Sequence, residues 1–415
     1  MVYDLIVVGG GAAGFFAAVE AATQNPTLKI VILEKSTKLL SKVKISGGGR
    51  CNVTHHCFEP TPLSKHYPRG QKEFKQLFRI FQASDTVTWF EQRGVHLITE
   101  EDGRMFPITE SSQTIIDCFL REAERFGIEI QMTSEVMSAE KKEGIFLVHC
   151  MNGKDFVSAN LLIAMGGPPK ENSYQWIKSL DHTVISPVPS LFTFNDSTKE
   201  FTDLMGVAVQ DAEVKIAGTN LSSRGPVLIT HWGLSGPAVI RLSAWSALHL
   251  HQVDYQFIAL VNWTGDQTEE SVRNLFMEKN KREGGKRIYS HSLFRLPQRL
   301  WEKICSKAAV SEKMTWAEAP ARTLNRLLEF LIRCPFHIVG KTTFKEEFVT
   351  CGGVDLKEIE LTTMESKKIS GLYFAGEVLN VDGETGGFNF QAAWSTAFVA
   401  AKAIALSKRL INSGH

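Results

Sequence analysis

The chain begins with the sequence YDLIVVGGGAAG, residues Tyr3–Gly14, and this stretch decides its fold. An apolar run leads directly into glycines with the spacing G-x-G-x-x-G, the first of which is Gly9. An alanine-rich pattern from Phe15 to Ala22 then predicts a helix, and a second apolar run, Ile30–Leu33, ends at Glu34. A strand, a glycine turn, a helix, a strand and an acid in this order are the setting in which the motif indicates a dinucleotide site.

Each residue type in this turn has a physical reason. The first glycine allows a tight turn, the second lets the backbone approach a pyrophosphate, and the third lets the helix pack close to the strand. The helix N-terminus presents N–H groups and a partial positive charge to the phosphates. The carboxylate of Glu34 can accept hydrogen bonds from a ribose diol. The sequence therefore predicts a dinucleotide cradle formed by Gly9, Gly11, Ala12, Ala13, Gly14 and Glu34.

Length, charge and cysteine content narrow the class of protein. With 415 residues, of which 43% are apolar, the chain is long enough for about two or three domains. Its formal net charge of +1 gives no general attraction to nucleic acid or to an anionic membrane, so we expect neither partner. The seven cysteines lack C-x-x-C spacing, which predicts reduced thiols and no metal site.

The N-terminus and the hydropathy of the chain predict a cytoplasmic protein. The first apolar run is short, lies beside Asp4 and lacks a preceding basic region, which is typical of a buried strand rather than of a signal peptide. No window approaches the roughly 18 uninterrupted apolar residues of a membrane-spanning helix. The sequence leaves the oligomeric state open.

A second glycine-rich segment, Ser46–Asn52, follows soon after the first. Successive glycines between a serine and an arginine predict a loop whose backbone lies close to a ligand. Because the dinucleotide is predicted next to it, the N–H groups of this loop and Arg50 can complete the pyrophosphate cradle or border the redox ring. The residues predicted to contact the cofactor here are Lys35, Lys42, Ser46, Gly47, Gly48, Arg50, Cys51 and Asn52.

These two segments, Gly9–Gly14 with Glu34 and then Lys42–Asn52, resemble a known family of bacterial flavoproteins, the one that groups aminoacetone oxidase with the 3-dehydro-bile-acid Δ4,6-reductase. The resemblance extends to Thr230–Pro237 and to Ala375–Asn389, and so covers essentially the whole chain. It implies FAD as the dinucleotide, bound in an extended form across an α/β fold like that of glutathione reductase. The glycine spacing alone leaves FAD and NAD open.

The resemblance also implies contacts where the chain returns to the cofactor. The segment around Ala164 is similar to the Ala-Thr-Gly segment of flavoproteins with two dinucleotides, although Met165 replaces the threonine. A helix that starts near Gly387 is expected to point its N–H groups at the N1–C2 edge of the flavin, where they stabilise the reduced ring. Folds of this type contact adenine near Val136. The contacts implied in these ways are Val136, Ala164, Met165, Gly166, Gly376, Glu377, Asp382, Gly387, Phe388 and Asn389.

Further patterns predict individual elements and domain boundaries. The predicted elements are a helix over Gln113–Phe126 capped by Ser111, a strand over Ile128–Val136, a hairpin about Asn152-Gly153 and a strand with a turn over Phe348–Val354. From Pro187 onward, short alternating strands predict an antiparallel barrel or sandwich, and helical patterns follow it. We therefore predict a Rossmann-type FAD-binding domain of residues 1–188 and 338–415, a β-barrel-like insertion of residues 189–265 and a helical insertion of residues 266–337.

Two residues are candidates for catalysis. His231 lies in the Thr230–Pro237 segment and can donate a proton near a substrate, although a histidine in such a turn is often structural. Arg50 is expected to lie near the flavin ring or the pyrophosphate. We interpret the basic run Lys279–Arg287 as a solvated helix face rather than a nucleic-acid site. The catalytic surface is predicted between Ser46–Asn52, Thr230–Pro237 and Gly383–Asn389, because each is rich in glycine.

Together these observations predict a flavin-dependent oxidoreductase that acts on a small organic molecule. Because a second glycine fingerprint is missing, NAD(P)H is expected only as a transient co-substrate, in the reduction of a C=C or related bond. One alternative is an oxygen-dependent amine oxidase like aminoacetone oxidase. Another, from a different class, is a flavin-bearing RNA-modification or sensor protein. A redox couple between Cys51 and Cys57 is a further hypothesis.

Overall fold

The computed structural model describes residues 1–342 and 349–412. These residues form two compact units, one of residues 1–190 together with 349–412 and one of residues 191–342. The second unit is inserted into the first and contains nearly all of the two predicted insertions, and the predicted boundary at residue 338 falls within one of its strands. Among the described residues, no helix is long and apolar enough to cross a bilayer.

The strands and helices have the following bounds. The strands are β1 (Val2–Val8), β2 (Ile30–Leu33), β3 (Thr54–His55), β4 (Leu97–Thr99), β5 (Arg104–Pro107), β6 (Glu129–Gln131), β7 (Val136–Lys142), β8 (Ile145–Cys150), β9 (Asp155–Ile163), β10 (Val184–Ser190), β11 (Thr193–Asp196), β12 (Ala208–Ile216), β13 (Ser222–Ile229), β14 (Gly233–Ser235), β15 (Gln256–Asn262), β16 (Cys334–Thr342), β17 (Val349–Val354), β18 (Ile359–Glu360), β19 (Glu365–Ser366) and β20 (Leu372–Phe374). The helices are α1 (Ala12–Gln24), α2 (Ser41–Gly49), α3 (Pro60–Ser64), α4 (Gln71–Leu77), α5 (Ala83–Glu91), α6 (Gln113–Arg125), α7 (Gln175–Lys178), α8 (Pro237–Trp245), α9 (Ala247–Gln252), α10 (Glu269–Glu283), α11 (Gln298–Lys307), α12 (Ala321–Ile332) and α13 (Phe388–Asn412).

The first unit is built on a sheet with the strand order β18-β19-β20-β9-β1-β2-β6. The strands from β20 to β6 in this order run parallel, and β7 and β8 add an antiparallel extension to β9. Val8 lies opposite both Leu33 and Ile163, and Ile163 lies opposite Phe374. The carboxyl ends of these strands therefore meet at one edge, which is where a parallel α/β sheet binds its ligands.

The first apolar run is buried as a central strand of this sheet. Leu5, Ile6 and Val7 have no exposed surface, as expected for a parallel strand that is covered on both faces. The helix α1 that follows is buried along most of its length, because alanines allow close packing. Its Phe16 ring stacks on Trp89, with ring centroids 4.3 Å apart, within an aromatic cluster that also includes Phe119 and Trp394.

The predicted strand Ile128–Val136 is wrong in its extent. The strand β6 ends at Gln131, and Val136 is instead the first residue of β7. Between them the chain turns at the end of β2, where Ser134 donates its N–H to the carbonyl of Glu34 (2.9 Å). A continuous strand is prevented because β6 pairs with β2 whereas β7 pairs with β8.

Other local predictions agree more closely with the structure. The hairpin about Asn152-Gly153 is present, with His149 opposite Asp155. The helix α6 begins at Gln113 as predicted and ends at Arg125, one residue before the predicted end, and Ser112 rather than Ser111 is its N-cap. The predicted strand in Phe348–Val354 corresponds to β17, although Phe348 lies outside the described residues.

The second unit is a closed antiparallel barrel with helices packed on it. The barrel order is β11-β14-β13-β12-β15-β16. The strand β12 spans Ala208–Ile216, and its pairing with β13 is irregular between Val209 and Ala212. Barrel residues and residues of the three helices α10, α11 and α12 share one apolar core, which includes Val214, Ile229, Phe336, Phe276, Trp301 and Leu328.

The basic run Lys279–Arg287 lies at the end of α10 in this unit. Lys279 pairs with Glu283 (2.9 Å), Arg282 with Glu278 (2.7 Å) and Lys286 with Glu283 (3.3 Å). Three of the basic side chains in this run thus pair with acids three or four residues away, and most of the run is exposed, as the sequence interpretation expects for a solvated face.

Candidate functional site

The three glycines of the first turn have different surroundings. At Gly9, where φ is +112°, a Cβ atom would lie 2.5 Å from the carbonyl oxygen of Ala164. A Cβ atom at Gly14 would collide with the carbonyl oxygen of Gly9. A Cβ atom at Gly11 would have nothing within 4 Å. Two glycines are thus required by packing, whereas Gly11 faces open space at the N-terminus of α1, where a bound group can approach the backbone.

The carboxylate of Glu34 supports this turn. Its Oε2 accepts a hydrogen bond from the N–H of Gly10 (2.8 Å), and its Oε1 accepts one from the N–H of Ser36 (2.8 Å). The Gly10 carbonyl in turn accepts the N–H of Leu40 (2.9 Å). Glu34 therefore holds the glycine turn at the edge of the sheet and remains half-buried beside it, while its neighbour Lys35 is exposed.

The predicted loop Ser46–Asn52 interrupts the regular geometry of α2. Gly47 and Gly48 have φ values of +58° and +69°, which favour glycine, and Cys51 also has a positive φ of +63°. A Cβ atom at Gly48 would have nothing within 4 Å. This loop thus presents backbone, rather than side chains, to the space beside it.

Cys51 at the end of this loop is fully buried, and burial raises the pKa of its thiol to about 12. Both Cys51 and Cys57 are free thiols. A thiol with so high a pKa supplies almost no thiolate near neutral pH, and thiolate is the form that exchanges with disulfides. The geometry therefore gives no support to a Cys51–Cys57 redox couple.

The side chain of Arg50 contacts two acids and an aromatic ring. Its guanidinium donates to Glu100 (2.6 Å), lies 3.9 Å from Glu110 and stacks over the ring of Phe106 at 4.0 Å. Arg50 is thus held by acids and an aromatic ring of the first unit, and its predicted role in catalysis stays a prediction.

The start of α13 packs directly on the segment that follows the glycine loop. Oriented to satisfy both partners, the Asn52 amide accepts the N–H of Gly387 (2.9 Å) and donates to the Thr54 carbonyl (3.0 Å). The Thr54 hydroxyl donates to Gln391 (2.6 Å). The Asn389 amide closes the preceding turn by pairing with the N–H and the carbonyl of Gly383 (2.8 and 3.0 Å). Two of the three glycine-rich segments predicted to form the catalytic surface are therefore brought together.

Asp382, a predicted cofactor contact, has a different set of partners. Its carboxylate is fully buried and forms a two-pronged ion pair with Arg69, in which Arg69 Nε lies 2.5 Å from Oδ1. The Ser190 hydroxyl also donates to it (2.7 Å). Its side chain therefore stabilises the loop before α13.

Two later segments, around Ala164 and around Gly376, also contact the glycine turn or the helix α1 that follows it. The Ala164 N–H donates to the carbonyl of Val8 (2.8 Å), and Gly166 has a φ of +75°. A Cβ atom at Gly376 would lie 2.9 Å from the Cβ of Ala13. These positions surround the N-terminus of α1. The remaining predicted contacts near them are Met165, which is partly buried, and Glu377, which pairs with Lys42 (2.6 Å).

A cluster of histidines at the start of α13 was not predicted from the sequence. His66 Nδ1 lies 3.0 Å from Oε2 of Glu384, and its ring stacks on Phe388 with centroids 4.1 Å apart. His55 stacks on the same ring at 4.7 Å, and its Nδ1 bonds the Gly386 carbonyl (3.0 Å). Burial lowers the pKa of His55, and its neighbour His66 lowers that pKa further. The signal in the sequence was the Thr54-His55-His56 run directly after the glycine loop.

His231 lies in the other unit, between β13 and β14 of the barrel. Its side chain is exposed, and its ring lies 4.3 Å from that of Trp232. The turn is closed by the Gly233 N–H, which donates to the Thr230 hydroxyl (3.2 Å). The predicted role of His231 as a proton donor stays a prediction.

The first unit fits an extended dinucleotide such as FAD. Gly11, at the N-terminus of α1, and Gly48 each face open space, and the N–H groups of a helix N-terminus suit a pyrophosphate. No acidic residue lies in the first turn of α1 to repel it. Gly9, Gly11, Glu34 and the Ser46–Asn52 loop would hold the adenosine and pyrophosphate portions, and the start of α13 would border the flavin.

Comparison with known proteins agrees with this geometry. The model of the family described as HI0933-like protein Rossmann domain matches residues 3–403. Over 413 residues, the chain is 30% identical to the ribosomal RNA dihydrouridine synthase of Haemophilus influenzae, covering 96% of this chain and 98% of that protein. It is 23% identical to the 3-dehydro-bile acid Δ(4,6)-reductase of Clostridium scindens, covering 96% and 98%. The solved 3-ketosteroid Δ1-dehydrogenase of Sterolibacterium denitrificans shares the fold, with a TM-score of 0.52, 12% identity and coverage of 98% and 100%.

Proposed function

The chain belongs to the HI0933-like Rossmann-domain family and is an FAD-dependent oxidoreductase, and from this premise we propose that it reduces the C=C bond of a uracil base in ribosomal RNA. The observation that carries this proposal is the 30% identity, over nearly the whole of both chains, to a ribosomal RNA dihydrouridine synthase. The reductase from Clostridium scindens supports the chemistry, since both names denote saturation of a carbon–carbon double bond. An RNA substrate of this kind also implies that the protein acts in the cytoplasm.

The charge of the segment that borders the cradle supports an RNA substrate. Between Lys35 and Phe58 the sequence contains no aspartate or glutamate, and its basic residues are Lys35, Lys38, Lys42, Lys44 and Arg50. The four lysines are exposed, and because Lys42 pairs with Glu377 (2.6 Å), the local positive charge comes mainly from Lys35, Lys38 and Lys44. Exposed cations are what an RNA backbone requires, because binding releases its condensed counterions. Our expectation of no nucleic-acid partner depended on the net charge of +1, which does not describe this local excess.

The electrons are proposed to come from NADH or NADPH. One glycine fingerprint of the strand–turn–helix kind is visible, and FAD occupies it in this proposal. A dihydronicotinamide would then bind only during transfer, so calorimetry should detect weak or no binding of NADH and NADPH. A sub-micromolar dissociation constant would reveal a second nucleotide site and contradict this part of the proposal.

A small conjugated ketone is the second candidate substrate, supported by the 23% identity to the bile-acid reductase. It keeps the same chemistry, since hydride addition to a C=C bond next to a carbonyl is common to both substrates. An amine oxidase, the other alternative from the sequence, has no support from these relatives.

The test combines the purified holoenzyme with unmodified ribosomal RNA, both free and in ribosomal subunits, and with NADH or NADPH in the absence of oxygen. We expect dihydrouridine to appear in the nucleoside mass spectrum, and the flavin-free variant Gly11→Val to produce none. If the wild type leaves every RNA unchanged but saturates a steroid dienone, the RNA substrate is refuted in favour of the small molecule.

A further inference from the structure

Three residues of the short segment His66–Arg69 bind the loop before α13 or the first residue of that helix. His66 Nδ1 bonds the Glu384 carboxylate (3.0 Å), the buried Tyr67 hydroxyl donates to the Phe388 carbonyl (2.7 Å), and Arg69 pairs with Asp382. The backbone adds to this, because the Glu384 N–H donates to the His66 carbonyl (2.9 Å). His66 is therefore held by hydrogen bonds to both its main-chain carbonyl and its imidazole ring.

The ring of His66 is fixed in plane as well as in position. It lies almost parallel to the Phe388 ring, with an interplanar angle of 11°. Its side chain is 36% exposed, whereas that of Glu384 is 12% exposed. Because Nδ1 is committed to the carboxylate, the other ring nitrogen, Nε2, is the one that can exchange a proton with a bound molecule or with water.

We propose that His66 donates, from Nε2, the proton that completes reduction of the substrate double bond, and that Glu384 positions its ring. This inference rests on the proposed function, and on the expectation that the start of α13 borders the flavin. A carboxylate on Nδ1 sets the orientation of the imidazole and stabilises its protonated form, as in other histidine–carboxylate pairs that act in proton transfer.

The atoms and electrons of the step balance. A bound FAD, once reduced by a dihydronicotinamide, would supply the hydride. The carbon β to the substrate carbonyl takes that hydride, the C=C π bond breaks, and the α carbon takes the proton from Nε2. The His66 imidazolium becomes a neutral imidazole, Glu384 stays ionised, and water returns the proton through the exposed part of the ring.

The other titratable groups near this ring do not fit the role as well. His55 lies 6.0 Å from His66 between ring centroids, and burial lowers its pKa, so it is mainly neutral near pH 7 and a poor proton donor. Asp102 and His56 act electrostatically on His55. Tyr67 is fully buried, and burial raises the pKa of its hydroxyl well above the usual value. Half-exposed and carboxylate-bound, His66 is the better donor.

The kinetic test separates proton donation from structural support. General acid catalysis contributes about 10²–10⁴-fold, so His66→Gln should slow oxidation of the reduced flavin by substrate by about that factor. Glu384→Gln should cause a smaller loss. Flavin reduction by NADPH, FAD occupancy and melting temperature should stay as in the wild type. In His66→Ala, added imidazole should restore part of the rate, which a purely structural role does not predict.

The matched control is His149→Gln, because His149 also bonds a carboxylate, Asp155 (2.8 Å), but on a hairpin of the same unit. This substitution should leave two rates unchanged, the reduction of the flavin by NADPH and the oxidation of the reduced flavin by substrate. A wild-type rate in His66→Gln overturns the proposal, and so does a loss in which NADPH-driven flavin reduction falls equally.

A crystal structure of the holoenzyme provides a readout independent of turnover and of the substrate. We expect Nε2 of His66 to face the flavin across the space that a substrate ring would occupy, so that a bound substrate would lie within hydrogen-bond reach or one bridging water of it. An Nε2 that points away from the flavin overturns the inference even if uridine is reduced. A wild type inactive on RNA, with Nε2 facing the flavin, refutes the RNA substrate but supports the donor role.

Discussion

At the scale of single residues, the site depends on glycines and on side chains that form hydrogen bonds within the protein. Gly9 and Gly14 are glycines because neighbouring carbonyls leave no room for a Cβ atom, whereas Gly11 faces open space. Glu34 receives two backbone N–H groups, so its carboxylate organises the turn in addition to any ribose it binds. Packing and ligand binding thus impose separate demands on residues of one short motif.

Gly11→Val should abolish FAD binding without unfolding the protein. The valine side chain would fill the space that a pyrophosphate needs, although nothing in the protein itself obstructs it. Flavin absorbance per mole of protein measures the occupancy. The control is Gly285→Val, since Gly285 is likewise surrounded by open space but lies in the other unit. Full flavin occupancy in Gly11→Val would refute the cradle.

Glu34→Ala should weaken FAD binding without abolishing it. Lost charge-assisted hydrogen bonds of roughly 1.5–3 kcal/mol correspond to an affinity about 10–150-fold lower. Titration of the apoprotein with FAD, followed by fluorescence, measures this change. An unchanged dissociation constant would mean that the carboxylate acts on the turn alone.

The pH dependence of stability should include a contribution from His182. Burial lowers the pKa of this histidine below its ordinary value of 6.5, and its ring bonds the Leu180 carbonyl and the Ser366 hydroxyl (both 2.8 Å). The folded state therefore binds fewer protons than the unfolded state, so stability present above pH 6.5 is lost as the pH falls through 6.5 toward the lower folded pKa.

His182→Gln should accordingly flatten the fall in melting temperature between about pH 7 and pH 5. His55, whose pKa is also lowered by burial, will retain part of the slope. The exposed His149→Gln serves as the control. A wild-type slope in His182→Gln would show that this histidine is protonated without cost in the folded state.

At the scale of elements, the loop before α13 is held by contacts across distant parts of the chain. Asp382 binds Arg69 and Ser190, and Asn52 binds the first N–H of the helix start at Gly387. The β10 strand, which carries Ser190, pairs with β17. The helix start that is expected to border the flavin is therefore preorganised by side chains before any ligand binds.

Asp382→Asn should destabilise the apoprotein as well as the holoprotein. Removing one charge of a buried ion pair leaves the other uncompensated, which costs about 3–5 kcal/mol. Urea unfolding of both forms measures the loss. The control Asp211→Asn breaks the exposed pair with Arg224, and this change should leave the stability almost unaltered. A variant with normal apoprotein stability but weak FAD binding would instead make Asp382 a cofactor ligand.

At the scale of the whole molecule, the two ends of the insertion are joined to residues of the first unit that are neighbours across a strand pair. Ser190 and Val349 lie opposite each other in the antiparallel pair of β10 and β17. Within the inserted unit, Thr193 lies opposite Thr342 in the same way. Each unit therefore closes on itself with its own core.

Replacing residues 191–348 by a two-residue Asn-Gly turn should leave a folded first unit that binds FAD. The turn suits the antiparallel pairing of Ser190 with Val349, and the predicted cradle lies wholly in the first unit. Flavin absorbance and a cooperative melting transition measure the outcome. A shortened protein that is soluble and folded but carries no flavin would show that the insertion is needed for the cofactor.

The sequence by itself determined the parts of this protein that depend on neighbouring residues. The strand–turn–helix spacing around Gly9–Gly14 predicts the cradle, because each glycine acts on atoms a few residues away or on the ligand. The alternating strands after Pro187 predict a barrel or sandwich, because the alternation of apolar and polar residues along a strand is also a local pattern. In the run Lys279–Arg287, two of the basic side chains pair with acids one turn away on the same helix, a spacing that the sequence itself shows.

Only the tertiary structure decided which side chains meet across the chain. Arg50 pairs with Glu100, 50 positions away, while its predicted contact with the cofactor stays a prediction, and Val136 begins a strand instead of ending one. His66 and Glu384 are 318 positions apart, and no local pattern joins them. Contacts of this kind depend on how strands order in the sheet and how loops close over its edge, and spacing along the sequence carries no information about either.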